Sequence, residues 1–353
     1  MGTSRRLRTV QLGGSGVNEM QLEEMARDAY GLNPSAPLRV MAAGNINRSA
    51  VVPTSSGTFV LQELNHSVFP DPPALMANAI AITDQMRRHN LPALEFVPTR
   101  SGELLSPIDG VPWRCYRYVD GTTMPALRTP EDAQATARAY GRYAAAIESL
   151  TLVEHLPGYH DFDGRVAELE RAIDADEAGR VGSSIAVVEA VLNTIDRVRL
   201  APSYAPWSEL PTRNVHNDAK GPNCVKAANG ARTIIDLDTT MPGLLLADVG
   251  ELVRSSTRAL VDQPLGVIMS QIEAVNRGFL AGYRNPLTEA EQAGMLLAGP
   301  LLTTENAVRF LADHLSGDKY YGAAEPDQNL HRAAEQQRLA TVQIEAIEQA
   351  LSA

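Results

Sequence analysis

This sequence predicts an α+β chain with a small sheet-rich N-terminal lobe and a large helical C-terminal lobe, and three observations carry that expectation. Short β-leaning runs crowd the first 119 residues, helical periodicities fill the chain from about 129 onward, and 353 residues exceed what one hydrophobic core of ordinary size serves. The expected division is 1–119 and 120–353.

Residues 38–42, 50–53 and 58–64 are β-leaning and are parted by Gly44-Asn45-Ile46-Asn47 and Thr54-Ser55-Ser56-Gly57, both of turn composition. They predict a meander. Asp71-Pro72-Pro73 opens a helix to about 89, with Leu75, Ala79, Ile82 and Met86 at helical spacing and proline where a missing N–H costs nothing. Strands at 94–99 and 113–119 follow, around the turn Asp109-Gly110. Beyond Gly121 the character is helical. Thr129 as N-cap, then Pro130, Glu131 and Asp132, start a helix to about 150. Further helical patterns run over 163–177, 184–199, 247–261, 267–283, 287–298, 304–315 and 329–351, with no internal repeat and no low-complexity linker.

The chain is 44% hydrophobic and 21% charged, the balance of a globular protein rather than a disordered or collagenous one. With 31 Lys+Arg against 42 Asp+Glu the net charge is −11, which argues against nucleic-acid binding and suits a neutral or cationic small substrate. No apolar run approaches the roughly 18 residues of a membrane span, and the basic start runs into polar residues 11–18, so no membrane association and a cytoplasmic location are expected. Cys115 and Cys224 can neither frame a disulfide scaffold nor fill a zinc site by themselves. The only lysines are Lys220, Lys226 and Lys319, so chemistry that calls for an amine within the first 219 residues must do without one.

The segment that speaks of chemistry is Val215-His216-Asn217-Asp218-Ala219-Lys220-Gly221-Pro222-Asn223, followed by two β-leaning runs around Asn229-Gly230. Asn-Gly favours a two-residue type I′ hairpin turn, because both central residues need positive φ. That turn would pair Ala228 with Ala231, Val225 with Ile234 and Asn223 with Asp236, an amide opposite a carboxylate at a spacing suited to one hard cation. Asp218 lies on the loop leading into the hairpin. A carboxylate to accept a hydroxyl proton, followed by an Asn and an Asp to hold metal, is the set that phosphoryl transfer from Mg-ATP requires. The bland alternative is a surface loop rich in Asn and Asp ahead of an ordinary hairpin.

His216-Asn217-Asp218-Ala219-Lys220-x-x-Asn223, Ile235-Asp236-Leu237-Asp238-Thr239 and Asp248-x-Gly250-x-x-x-Arg254 carry a resemblance. So do Leu61-Gln62-x-Leu64-Asn65, Leu156-Pro157-x-x-His160-Asp161 and the run from Arg309 to Tyr320. On these motifs the chain resembles the aminoglycoside phosphotransferase superfamily and, within it, the N-acetylhexosamine kinase branch. The resemblance implies a two-lobed protein-kinase-like fold, with 1–119 as the nucleotide-binding lobe and 120–353 as the catalytic and substrate-binding lobe.

It further implies ATP as phosphoryl donor, Mg2+ as cofactor and a small-molecule hydroxyl acceptor, in a monomer or homodimer. By position, Asp218 would be the catalytic base and Lys220 would stand near the transferred phosphate. Asn223 and Asp236 would bind magnesium, and Asp238, Arg309 and Tyr320 would join Asp218 on the acceptor. Gly44, Asn47 and Gln62 would line the nucleotide, and Arg117 and Val119 lie where the hinge backbone meets adenine. His216 is expected to brace the loop rather than react.

Where protein kinases hold the α and β phosphates with a third-strand lysine paired to a helical glutamate, this chain has Gln62, and its helix 71–89 contains no Glu. Arg48 is the candidate for that grip, against the alternative of an ordinary surface charge, and Glu63 stands where a basic residue is expected. Gly13-Gly14-Ser15-Gly16 lacks the Gly-Lys-Ser/Thr ending of a phosphate loop. His155, His160 and Asp161 do not match a zinc signature, and Met295-Leu296-Leu297 reads as core. Three functions stay open: a kinase of an amino or N-acetyl hexose or similar sugar, an antibiotic O-phosphotransferase, and a catalytically inactive kinase-like binding protein.

Overall fold

Residues 17–41, 47–204, 206–321 and 323–352 are described by the structure, a computed structural model. The Gly13–Gly16 segment and Gly44 lie outside them. The chain forms two compact units, one of residues 1–80 and 94–120, the other of residues 81–93 and 121–353.

In the first unit the helix α1 (Glu19–Asp28) starts at a capping box in which Asn18 and Gln21 exchange side-chain and main-chain hydrogen bonds. That signal was legible in the sequence, although no helix was expected there. The strands β1 (Arg39–Val40), β2 (Ser49–Thr54) and β3 (Gly57–Glu63) form the expected meander. After α2 (Pro72–Arg88) come β4 (Phe96–Val97), β5 (Leu105–Ile108) and β6 (Val111–Arg117). The sheet is antiparallel, in the order β1-β2-β3-β6-β4, with β5 also on β6. The strand expected over 94–99 is cut to two residues because Thr99 leaves the sheet to bond Glu103 through both its main chain and its hydroxyl.

Alternation along these strands separates two faces. Ala50, Val52, Phe59, Leu61, Trp113 and Cys115 join Leu22, Met25 and Ala26 of α1 in one buried cluster. Gln62 and Arg114 sit on the opposite face as direct partners across β3 and β6.

The second unit runs through β7 (Thr122–Thr123), α3 (Pro130–Ile147), α4 (Phe162–Ala175) and α5 (Val181–Leu200) to β8 (Thr212–Val215), β9 (Cys224–Lys226), β10 (Arg232–Ile234) and β11 (Met241–Leu244). Helices α6 (Leu245–Thr257), α7 (Leu265–Gly282), α8 (Glu289–Gly294), α9 (Ala298–Leu315) and α10 (Gln328–Leu351) complete it. Helix α9 starts six residues before the expected 304, since Pro300 falls in its first turn, where a missing N–H is harmless. Helices α3 and α7 approach so closely that a Cβ on Gly141 would lie 2.2 Å from the Phe279 carbonyl oxygen. This close packing fixes Tyr140 and Tyr143, both of which reach the loop that follows β8. Among the described residues no helix is long and apolar enough to cross a membrane.

Candidate active site

The motif predicted to carry chemistry leaves β8 as a loop whose main chain is held from several distant segments. His216 N–H and Asn217 N–H donate to the two carboxylate oxygens of Asp248 on α6, at 2.9 and 2.7 Å. Burial pushes the Asp248 carboxyl up to about 7, while these two amide donors act to keep it ionised. Asn217 adopts φ +63°, its side-chain amide donates to the Thr239 carbonyl, and Thr239 Oγ1 donates to the His216 carbonyl. Gly243 on β11 lies so close that a Cβ there would come 2.5 Å from Asn217 Oδ1, so the loop is seated only because that residue is glycine.

His216 is fully buried between the edges of Tyr140 and Tyr143. Its Nδ1 accepts from Asp218 N–H (3.3 Å) and its Nε2 bonds the Ile235 carbonyl (3.1 Å), a pattern that selects the neutral tautomer. Burial lowers its proton affinity in the same direction. The residue braces the loop, as expected.

Asp218 emerges with its two oxygens differently engaged. Oδ2 accepts from Lys220 Nζ at 2.7 Å and from Asn223 Nδ2 at 3.0 Å. Oδ1 takes no hydrogen bond among the described residues. For Lys220 burial alone would lower the pKa, but the Asp218 carboxylate outweighs it and the ammonium is stabilised. The same lysine feels Asp236 and Glu251. Asn223 commits its amide nitrogen to Asp218, which leaves its carbonyl oxygen as the end available to a hard cation.

The hairpin departs from the predicted register. Ala227 bonds Ala231 and Gly230, so the loop has three residues, Ala228, Asn229 and Gly230, with Gly230 at φ +84°. The extra loop residue shifts every pair by one: Val225 faces Thr233, and the Asn223 carbonyl accepts from Ile235 N–H while Asn223 does not face Asp236. Asp236 lies past the ladder in a left-handed conformation, φ +62° and ψ +60°, immediately before the short turn Leu237–Thr239. A strand turned through an αL residue leaves the ladder there, so a cross-strand pair is not what brings Asp236 toward the loop.

Two oxygen-bearing side chains, Asn223 and Asp236, match the small number of protein ligands magnesium takes beside nucleotide phosphates. Among the described residues no group of three or more His, Cys, Asp or Glu is placed to cage a metal by protein alone. His155 and His160, beside Asp161, do not share a zinc-like spacing in the sequence.

Those histidines have other work. His155 Nε2 bonds the Asp238 carbonyl (2.7 Å), and Asp238 itself is buried in the turn after Asp236. His160 Nε2–H donates to the Asn217 carbonyl at 2.9 Å, and Nδ1–H faces Glu305 Oε1 at 3.3 Å. Burial works against its charge, but Glu305 and the carbonyl outweigh burial and its pKa is raised. Glu305 is wholly buried, and its second oxygen has no hydrogen-bond partner among the described residues. His160 is therefore a buried strut under the loop, with its charged form favoured. Neither His160 nor Glu305 was picked as functional from sequence, because their partners lie 57 and 145 residues away along the chain.

Arg309 lies between the faces of Tyr159 and Tyr321, 5.8 and 5.5 Å from the ring centroids. It lines a cavity of about 590 Å³ with Arg165, Lys319, Tyr320 and Tyr321. Tyr159 is half-buried, and its hydroxyl proton is held tightly, first by burial and then by the charge of Asp218. Tyr320 is three-quarters exposed and stacks edge-on against Tyr321, so the ring on the arginine is Tyr321, the neighbour of the predicted residue.

In the first unit Arg48 forms an ion pair with Glu63, which accounts for the acid found where a basic residue was expected. Asn47 Oδ1 accepts from Asn65 N–H at 3.1 Å. Arg117 N–H is already spent on the Glu95 carbonyl and its side chain on Glu95 and Phe59. Val119, beyond the strand, has no main-chain hydrogen bond among the described residues, which makes it the better of the two hinge candidates for meeting a base edge.

The sequence profile of the phosphotransferase enzyme family matches residues 37–290, most of the chain, and the chain belongs to that family. Among solved structures it is similar to spectinomycin phosphotransferase in complex with ADP and spectinomycin, with a TM-score of 0.63 at 12% identity, covering 95% of this chain and 100% of that one. An amicoumacin kinase in complex with AMP-PNP and Ca2+ matches with a TM-score of 0.62 at 15% identity, over 91% and 93% of the two chains. A microcompartment-associated aminopropanol kinase matches at 0.55 and 16%, over 94% and 98%. The fold is the kinase-like one these proteins share.

Proposed function

We propose that this member of the phosphotransferase enzyme family moves the γ-phosphoryl group of Mg-ATP to a hydroxyl of an amino or N-acetyl hexose or a similar sugar. The observation that carries the reading is Asp218, held through Oδ2 by Lys220 and Asn223 with Oδ1 clear of hydrogen bonds among the described residues. Oδ1 takes the proton as the acceptor O–H bond breaks. The acceptor oxygen forms its bond to Pγ, the bond from Pγ to the β,γ-bridging oxygen breaks, and ADP leaves with that electron pair.

Asp218 also aims the hydroxyl, as expected for a transition state with little proton transfer. Magnesium bound through Asn223 and Asp236 supplies neutralisation of the phosphate oxygens. Lys220 follows the developing charge from its place beside Asp218. The first unit carries the nucleotide, with Gln62, Asn47 and the Val119 backbone as its contacts.

Arg309 between two tyrosines favours a sugar, because a guanidinium donates to hydroxyl or acyl oxygens and repels the ammonium groups of a polycationic drug. The net charge of −11 favours the second reading, an antibiotic O-phosphotransferase acting on an amino-sugar or nucleoside drug. A panel of sugars, aminoglycosides and nucleoside antibiotics incubated with Mg-ATP, with products read by mass and phosphorus NMR, decides between them. Phosphorylated hexose is the expected product. A phosphorylated drug alone selects the second reading, and no product from a chain that still binds nucleotide selects an inactive binding protein.

A further inference from the structure

In a chain of net charge −11, three arginines line a single groove that holds about 420 Å³. The groove lies wholly in the second unit, where α3 and β10 meet the end of α2 and the turn after it, and no residue of the loop His216–Asn223 lines it. Met86, Leu91, Pro92, Ala139 and Ile234 give it apolar walls. Arg138, Arg142 and Arg232 supply its cations, and Glu131 is the one acid among its lining residues.

Arg138 and Arg142 stand four residues apart on α3, so their side chains rise from one face of the helix. Both are exposed, and neither makes a hydrogen bond or ion pair among the described residues. Arg27, Arg87 and Arg277, also exposed on helices, each keep an acid three or four residues away. Helix α3 instead gives Arg142 another arginine at that spacing, a like-charge pair that destabilises a helix. Arg232 comes from β10 with its side chain 13% exposed, and its buried Nε has no hydrogen-bond partner among the described residues. Its Nη1 reaches the Gly230 carbonyl at 3.4 Å. Its Nη2 is 3.7 Å from Asp132 Oδ1, an oxygen that also lies 3.6 Å from Lys226 Nζ, so one carboxylate serves two cations.

From this juxtaposition we infer that the groove is a second ligand site, for a small amphipathic anion whose apolar body lies against Met86, Leu91 and Ile234 and whose phosphate or carboxylate head meets Arg138, Arg142 and Arg232. It is independent of the phosphotransfer reading, because binding here requires no turnover. The volume falls within the roughly 300–1,000 Å³ of small-molecule sites, which pair apolar walls with a few polar groups that fix orientation. Guanidinium forks match the oxygen spacing of carboxylates and phosphates. The field of the whole chain repels anions, so an anion that binds is held by this local arrangement, and a neutral or cationic molecule of the same shape lacks the head that the arginines take.

The test is equilibrium binding of phenyl phosphate, benzoate, benzyl alcohol and benzylamine to the full chain and two variants, by titration calorimetry. One or both anions should bind about 10-fold or more tighter than the alcohol and the amine, the worth of a charge-assisted hydrogen bond. Phenyl phosphate alone identifies the ligand as an organic phosphate, benzoate alone as a carboxylate, and both together show that the site reads only the charge. The double variant Arg138→Gln with Arg142→Gln should abolish that preference, and its fold should hold because both positions are exposed and glutamine is a good helix former. Ala139→Leu keeps every charge but fills the groove, and should weaken the anions as well.

Benzyl alcohol or benzylamine binding as tightly as the anions overturns the assignment, leaving solvated arginines beside an apolar hollow. So does anion binding undiminished in either variant, which places the probe elsewhere on the chain. Failure of every probe to bind at millimolar concentration overturns it too.

Discussion

The loop His216–Asn223 of the second unit and the facing strands β3 and β6 of the first handle charge in opposite ways. The loop keeps its charged groups in direct pairs, Asp218 with Lys220 and the Asp248 carboxylate with two main-chain N–H groups, and every anchor is specific to one atom. On the strands, Arg114 is oriented by a neutral amide and Arg48 is cancelled by a neighbouring acid. On the proposed reading a proton moves at the loop, where geometry is the scarce quantity, whereas a strand has only to present a positive field.

The sharpest way to break that contrast is to alter the loop where geometry should count most. Asp218→Asn should lower turnover by ~10²–10⁴-fold or more while nucleotide binding holds. Near wild-type turnover would show that the loop is as permissive as the strands. The next largest effect is expected at the proposed metal ligands: Asp236→Ala should abolish the magnesium-dependent part of nucleotide binding. Asn223→Ala should weaken that binding less, because an amide is neutral, although it also frees Asp218 Oδ2. Equal loss in both variants would contradict that division of labour, as read by titration of ADP with and without magnesium.

A smaller effect sharpens the comparison on the acceptor side. Arg309→Ala should reduce kcat/KM for the acceptor by roughly 10-fold with the KM for ATP nearly unchanged, since one guanidinium hydrogen bond is at stake. A rise in the KM for ATP alone would move this arginine to the nucleotide.

The smallest effect concerns the strut. Because the folded pKa of His160 is raised, its charge stabilises fully below the unfolded value of about 6.5 and is lost as pH rises through the higher folded one. Wild type should therefore exceed His160→Gln in Tm by on the order of 2–4 °C at pH 6, a gap that narrows toward pH 9. A gap independent of pH would make His160 a packing residue.

Much of this was legible along the chain. The meander 49–63, the Thr129 cap with its proline, and the His-x-Asp-x-x-x-x-Asn spacing are local: each follows from neighbours within a few residues, and each is found where expected. The hairpin failed by one residue because Asn-Gly fits both a two-residue turn and the end of a three-residue loop with glycine in αL. A period-2 ladder turns that single residue into a change of every partner.

The sequence by itself determined the fold class, the order of sheet and helices and the shortage of lysine, and it nominated the residues proposed to accept a proton or hold magnesium, since these depend on residue type and short spacings. Tertiary structure decided what those residues lean on. Asp248, His160 with Glu305, the Tyr159 and Tyr321 clamp on Arg309, and Arg114 beneath Gln62 are joined across 32, 145, 150, 12 and 52 residues respectively. Contacts as distant as most of these leave no periodic trace in a chain, because chain folding alone sets which side chains share a low-dielectric interior. There a partner's charge or hydrogen bond fixes what each group can do.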